Sequence, residues 1–246
     1  MRPYIIYFPV LLISFFLIAQ TISAQDNERE VEKVNGLLAV QVGIPSKEMQ
    51  RAIKNNMGNL GFGAELTVLT NPFSWGRNKK NSSLRIGGEL GYTYYGRFLS
   101  DVNINGYRGD YKTSYGILQL NALLQLMPRQ PETVSPFIEI LAGGNFYLSS
   151  TKENLGLIES SLGIQSFEIG NYSSASFNKG VAFGCSIGKV KKDNARFTIR
   201  LSYNWGTDIK YVVRNSLDYN PYSGNLEYAV GKAPVKYFMA QAGIGF

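Results

Sequence analysis

From residue 34 to the C-terminus the chain alternates apolar and polar residues with a period of two, broken at intervals by polar or proline-bearing stretches. A period of two is the mark of a strand, because successive side chains point to opposite faces. The last ten residues, 237–246, set the pattern. Phe238, Ala240, Ala242, Ile244 and Phe246 share one face; Tyr237, Met239, Gln241, Gly243 and Gly245 share the other. Earlier segments repeat it. Leu38, Val40, Val42 and Ile44 stand against Leu37, Ala39, Gln41 and Gly43, and Pro45 ends that strand. Over 58–70, Leu60, Phe62, Ala64, Leu66 and Val68 oppose Gly61, Gly63, Glu65 and Thr67. Over 83–98, Leu84, Ile86, Gly88, Leu90, Tyr92 and Tyr94 oppose Arg85, Gly87, Glu89, Gly91 and Thr93. Further strands fall at 112–126, 135–148, 176–188 and around 197–205, the last with Phe197, Ile199, Leu201, Tyr203 and Trp205 against Arg196, Thr198, Arg200 and Ser202. Residues 46–56 read as a helical turn capped by Ser46, or as a simple loop.

The pattern predicts eight strands, with long connections after the first, third, fifth and seventh and shorter ones after the others. An all-β, antiparallel, up-and-down transmembrane β-barrel has this rhythm: short periplasmic turns, long outer loops, and both termini on the periplasmic side. A soluble barrel would also alternate, with its apolar face inward, so alternation alone does not separate the two. Three features favour the membrane. The predicted strands run about ten to fifteen residues, against a usual mode of about five or six. Aromatic residues gather near strand ends (Trp75, Tyr92, Tyr94, Tyr203, Trp205, Phe246), as a membrane interface requires. The polar faces are rich in glycine and carry both signs of charge, which suits a crowded lumen. Register then follows from energy. Arg85 or Arg200 facing lipid near mid-membrane would cost roughly 2–4 kcal/mol each, whereas facing inward they meet Glu65, Glu89 and Glu139. Lys179 falls on the apolar face near one end and must snorkel to the interface.

The C-terminal strand, with its alternating Phe238, Ala240, Ala242, Ile244 and terminal Phe246, resembles that of the small outer-membrane β-barrel domain family, the porin-like and opacity-type proteins of Gram-negative bacteria. The resemblance covers about 34–246. It implies a partner in the barrel-insertion machinery, which reads that strand, with outer-membrane lipid around the barrel. Family members bind host surfaces, pass small solutes or serve in secretion assemblies, so a surface ligand or an envelope protein partner is also implied.

The N-terminus fits export. Arg2 precedes an apolar stretch, 4–19, and Ile22-Ser23-Ala24 closes it, which reads as a signal peptide over 1–24. The charged residues 25–33 read as a short periplasmic leader, followed by the barrel domain over 34–246. The formal net charge is +7. An exported chain rarely meets nucleic acid, and Arg77, Lys79, Lys80, Arg129, Lys189, Lys191 and Lys192 cluster in short connections, where anionic lipid headgroups are the simpler partner. A single cysteine, Cys185, excludes an internal disulfide; it falls on the lipid face as a small apolar residue.

Catalytic chemistry is limited by what the chain lacks. It has no histidine, which excludes Ser-His and Asp-His hydrolysis and any His-based metal site. No enzyme activity, cofactor or metal is expected. The inward set Glu65, Arg85, Glu89, Glu139 and Arg200 is the strongest constellation. It reads either as a structural plug, in which buried charges neutralise one another, or as a gate on a narrow conduit. The inward glycines of several strands leave a cavity or make room for Tyr95, Tyr115, Phe137 and Tyr147. Arg108-Gly109-Asp110 resembles the tripeptide that integrins read in adhesins, and a glycine turn in an outer loop explains it equally well.

Overall fold

The computed structural model describes residues 34–53, 60–72, 83–104, 107–127, 134–153, 168–188, 196–213, 216–222 and 225–246. The expected signal peptide and leader, Trp75, and the basic connections at 77–80, 129 and 189–192 lie outside them. The strands are β1 (Val34–Pro45), β2 (Gly61–Thr70), β3 (Leu84–Ile104), β4 (Tyr107–Leu126), β5 (Val134–Glu153), β6 (Glu168–Ile187), β7 (Arg196–Val212), β8 (Asp218–Asn220), β9 (Asn225–Glu227) and β10 (Val230–Gly245), with one helix, α1 (Lys47–Ile53), after β1. Eight of the strands close an antiparallel barrel in the order β1-β10-β7-β6-β5-β4-β3-β2, while β8 and β9 pair by themselves. Closure is made by the terminal strand: Gln41 lies opposite Gln241 and Ile44 opposite Phe238. Gly36 and Phe246 exchange two backbone hydrogen bonds of 2.8 Å. The end where β1 begins and β10 finishes is the base; the opposite end is the crown.

Every predicted facing holds through the waist of the barrel. Leu38, Val40, Phe62, Leu120, Ile138, Phe183, Ile199 and Ile244 point outward and are exposed, Val40 to 68% and Phe183 to 63%. Glu65, Arg85, Glu89, Glu139, Arg196 and Arg200 point inward and are buried. This distribution excludes the soluble alternative, which needs the apolar face inside. A continuous apolar exterior of this extent is stable only against lipid, and a closed barrel leaves no backbone group unpaired in the hydrocarbon. The fold is therefore an eight-stranded transmembrane β-barrel. Phe238, Ala240, Ala242, Ile244 and Phe246 all stand on its outer face, as does Cys185, a free thiol.

The crown differs from the sequence-based picture. A strand needs about nine to eleven residues to cross a bilayer, yet β3 has 21 residues and β4, β5 and β6 have 20 each. Much of the length expected as loop is therefore strand. Residues 100–104 and 107–111, predicted as part of a polar connection, are paired strand, with Asp101 opposite Asp110 and Val102 opposite Gly109. Arg108-Gly109-Asp110 thus lies in extended β4 rather than in a glycine turn. A polar sequence stays in strand here because the tall hairpins continue the hydrogen-bond ladder of the barrel below them. Part of the long connection expected after the seventh strand is strand as well. Val212 pairs with Val230, and among the described residues the short β8–β9 pair rises beyond.

Two irregularities allow the change from waist to crown. At Gly96, with φ of 98°, the β3–β4 register shifts between Tyr94 and Gly96. Thr93 and Tyr95 face inward before it, Phe98, Ser100 and Val102 after it. Glycine is the residue that takes this left-handed conformation at little cost, and a bulge of this kind re-aims the strand. In β7 the second bulge sets Gly206 and Thr207 together opposite Val235. Beyond it Ile209 turns inward.

The wall is low at β1 and β2, with 12 and 10 residues. α1 occupies that gap, packed against β10 and β1. Its start is fixed as expected: Ser46 Oγ accepts from Met49 N–H at 3.4 Å, and Ser46 O accepts from Gln50 N–H at 2.7 Å. Met49 is thereby turned into the barrel mouth and fully buried.

Candidate functional site

Alternation along four strands brings the central charges together. Glu65 on β2, Glu89 on β3 and Glu139 on β5 converge on Arg200 of β7. Arg200 Nη1 donates to Glu65 Oε1 at 2.6 Å and Nη2 to Glu89 Oε2 at 2.5 Å. Its Nε lies 2.6 Å from Glu139 Oε2, an ion-pair contact. One guanidinium thus spends its planar fork on three carboxylates from three strands, a geometry that a lysine ammonium cannot reproduce. The side chain is 1% exposed, so these contacts lie beyond the reach of solvent screening.

The remaining carboxylate oxygens are satisfied by neutral groups. Thr67 Oγ1 donates to Glu65 at 2.8 Å, and Gln241 Nε2 donates to its second oxygen. Asn121 Nδ2 donates to Glu89 at 2.9 Å, and Gln125 Nε2 to Glu139 at 2.8 Å. The network continues upward through amides: Asn178 donates to Asn121 at 3.0 Å, and Gln41 to Thr93 at 2.9 Å. Buried charge is tolerable only when paired and hydrogen-bonded in this way.

Of the five predicted residues, four form this cluster. Arg85 sits nearer the base, where it lines a cavity of about 20 Å³ with Gln125, Glu139, Phe137, Arg196 and Thr198. That volume holds about one or two water molecules. Arg196 Nη2 donates to Ser135 Oγ at 3.0 Å. The buried ionisable carboxylates and guanidiniums among the described residues number three of each: Glu65, Glu89 and Glu139 against Arg85, Arg196 and Arg200. The lumen carries no net charge when all six are ionised.

Above the polar waist the filling becomes apolar. Tyr95, Tyr115, Ile117, Tyr147, Ile209, Val235, Tyr237 and Met239 form one buried cluster, and Met49 of α1 closes it from the crown. Tyr115 and Tyr147 stack with ring centroids 6.2 Å apart, and Tyr237 Oη donates to Asn145 Oδ1 at 3.1 Å. Gly61 and Gly184 make room for rings, as expected, whereas Gly91 faces Gln119 and Gln41 and Gly180 faces Leu141. A Cβ on Gly61 would lie 2.6 Å from Tyr95 Cε1, and one on Gly184 would strike the ring of Phe137. Side chains less than 2% exposed occur at both levels of the lumen, from Arg200, Gln41 and Gln119 to Tyr95, Tyr147 and Tyr237.

Sequence reasoning missed the part played by Gln241, Thr67, Asn121 and Gln125, although each lies on the inward face of its strand. It missed α1 as a plug because only the low wall of β1 and β2, invisible locally, gives Met49 a place to enter.

No protein-family model and no curated protein sequence matches the chain. Solved structures similar to it include Neisserial surface protein A, at 15% identity with 86% of this chain and 95% of that one covered and a TM-score of 0.40. A major outer membrane protein from Thermus thermophilus follows at 12% identity, coverage of 86% and 98%, and a TM-score of 0.49. The attachment invasion locus protein of Yersinia pestis, solved with the heparin analogue sucrose octasulfate, matches at 14% identity, coverage of 87% and 99%, and a TM-score of 0.37. The likenesses are distant, and none transfers a ligand or an activity to this chain. Its own architecture is that of the small eight-stranded outer-membrane β-barrels.

Proposed function

We propose that this protein is a non-enzymatic barrel of the Gram-negative outer membrane whose lumen is a structural plug and whose crown acts by contact, binding or shielding at the cell surface. One observation carries the reading. The waist is cross-braced by Arg200 on Glu65, Glu89 and Glu139, and the aromatic layer with Met49 seals it above. A conduit would need both to give way at once. The absence of histidine supports a non-enzymatic role, and the carboxylates nearest to a catalytic arrangement are all committed to Arg200.

Orientation follows from family logic: the base, with both ends of the barrel, faces the periplasm, and the tall crown faces outward. The outward row Phe238, Ala240, Ala242, Ile244 and Phe246 is then the surface offered to the insertion machinery before closure. The test is single-channel conductance of the refolded mature protein in a planar bilayer, with a heat-dependent gel shift as the folding control. A folded, electrically silent protein is expected. Discrete openings would replace the plug by a gated channel for small solutes.

A further inference from the structure

On β6, β7 and β10 the lipid-facing exterior passes into a row of lysines. On β7 the outward apolar run ends at Trp205 and on β10 it is broken after Phe238 by Lys236 and Lys232, with Pro234 and Val230 between and beyond them; on β6, Lys179 is followed toward the crown by exposed Phe177. Tyr203 packs between Phe238 and Trp205, with ring centroids 4.6 and 5.6 Å away. The next cross-strand row is Lys236, Trp205 and Lys179, one residue from each strand in register. Lys179 Nζ rests 5.9 Å from the centre of the Trp205 ring. Further toward the crown, Lys232 and Lys210 stand directly opposite each other on the same outer face. Like charges placed so are unfavourable in isolation.

Among the described residues two acidic groups stand nearby. Glu48 lies 3.7 Å from Lys236, and Asp208, opposite Pro234, separates the two lysine rows. Four lysines against two carboxylates leave an excess of two positive charges. The patch is exposed: Lys179, Lys210 and Lys232 are open to the surroundings. It continues without a break from an aromatic shelf that faces acyl chains.

We propose that this patch binds the anionic, phosphate-bearing headgroup of a membrane lipid, with Trp205, Tyr203 and Phe238 holding the adjoining acyl chain. Its charge complements such a headgroup, and its position puts the lysines at headgroup depth while the rings stay in the apolar layer. A soluble anion would gain from the charge but not from the shelf. The inference does not depend on which way the barrel points or on whether its lumen conducts.

Trp205 itself reports the test. The chain has two tryptophans, so Trp75→Phe leaves Trp205 alone. The refolded variant is placed in bilayers of phosphatidylcholine with brominated phosphatidylglycerol or brominated phosphatidylcholine at equal mole fraction. Fluorescence quenching gives the relative affinity of the Trp205 site for the two lipids. The anionic lipid is expected to be preferred by at least about threefold, since each basic residue near a surface favours it appreciably. The preference should fall to about one in K179Q/K210Q/K232Q. It should be unchanged in K112Q/K152Q, which removes the opposed lysine pair on β4 and β5. Equal quenching by the two lipids, or an equal loss in both sets of variants, overturns the proposal. Should Trp75→Phe fail to fold, native mass spectrometry of the wild-type chain counts retained phosphatidylglycerol instead. The triple variant must then retain less, and equal retention is the negative result.

Discussion

The two halves of the lumen are closed by different physics. The waist is filled by charges that cancel: three carboxylates and three guanidiniums, with amides completing their hydrogen bonds. The upper half is filled by volume, with tyrosines, isoleucines and methionines pressed into space left by small residues. A charge network fails when one member is removed, because the partners stay buried and unpaired. A packed apolar layer fails in proportion to the space lost or gained. The comparison teaches that the same closed appearance can be all-or-none in one half and graded in the other.

That contrast can be broken most strongly at Arg200. Arg200→Met leaves three carboxylates converging on an apolar group and should cost about 3–5 kcal/mol, read as the loss of the heat-dependent gel shift at low urea. If charge balance rather than volume is responsible, R200M/E89Q should recover part of that loss, because it restores equal numbers of buried positive and negative groups. A double variant worse than R200M would argue that the waist, too, is held by shape.

The apolar half should respond less. Met49→Ala should cost about 2 kcal/mol, at the low end for truncating a buried methionine, since α1 is short and its edge can settle. It should leave the protein electrically silent, because Tyr95, Tyr115, Tyr147 and Tyr237 still lie beneath. Conductance appearing in this variant would make α1 the sole seal. Gly61→Val should cost about 1–2 kcal/mol by overpacking, as the new methyls meet Thr93 and the Tyr95 ring; the urea midpoint in detergent micelles measures it. The smallest change belongs to Glu48→Gln. The Glu48–Lys236 pair is 3.7 Å long with side chains 57% and 43% exposed, so its removal should shift stability by no more than about 0.5 kcal/mol.

The inward and outward sets were legible because period two survives wherever one face meets lipid. Arg85 and Arg200 could be assigned inward on energy alone, and four of the five predicted lumen residues do meet. The crown was not legible. Residues 100–111 are polar and carry Gly106 and Gly109, so composition argues for a loop, while the ladder continued from the barrel makes 100–104 and 107–111 strand. Nor did any local signal announce that the inward set changes phase at Gly96 and again after Gly206. A bulge is a property of two paired strands, and a single sequence shows only one of them.

What the chain alone determined, then, was the class of solvent each side chain meets: lipid outside, a crowded polar interior inside. Hydrophobicity at alternate positions carries that information residue by residue. What only the tertiary structure decided was which inward residues stand at the same height. That depends on strand stagger, on two bulges and on a wall too low at β1 and β2. These place Arg200 among three glutamates, send Arg85 to the base with Arg196, and give Met49 an opening to fill. Stagger is set by the closure of the whole barrel, so no one strand encodes it.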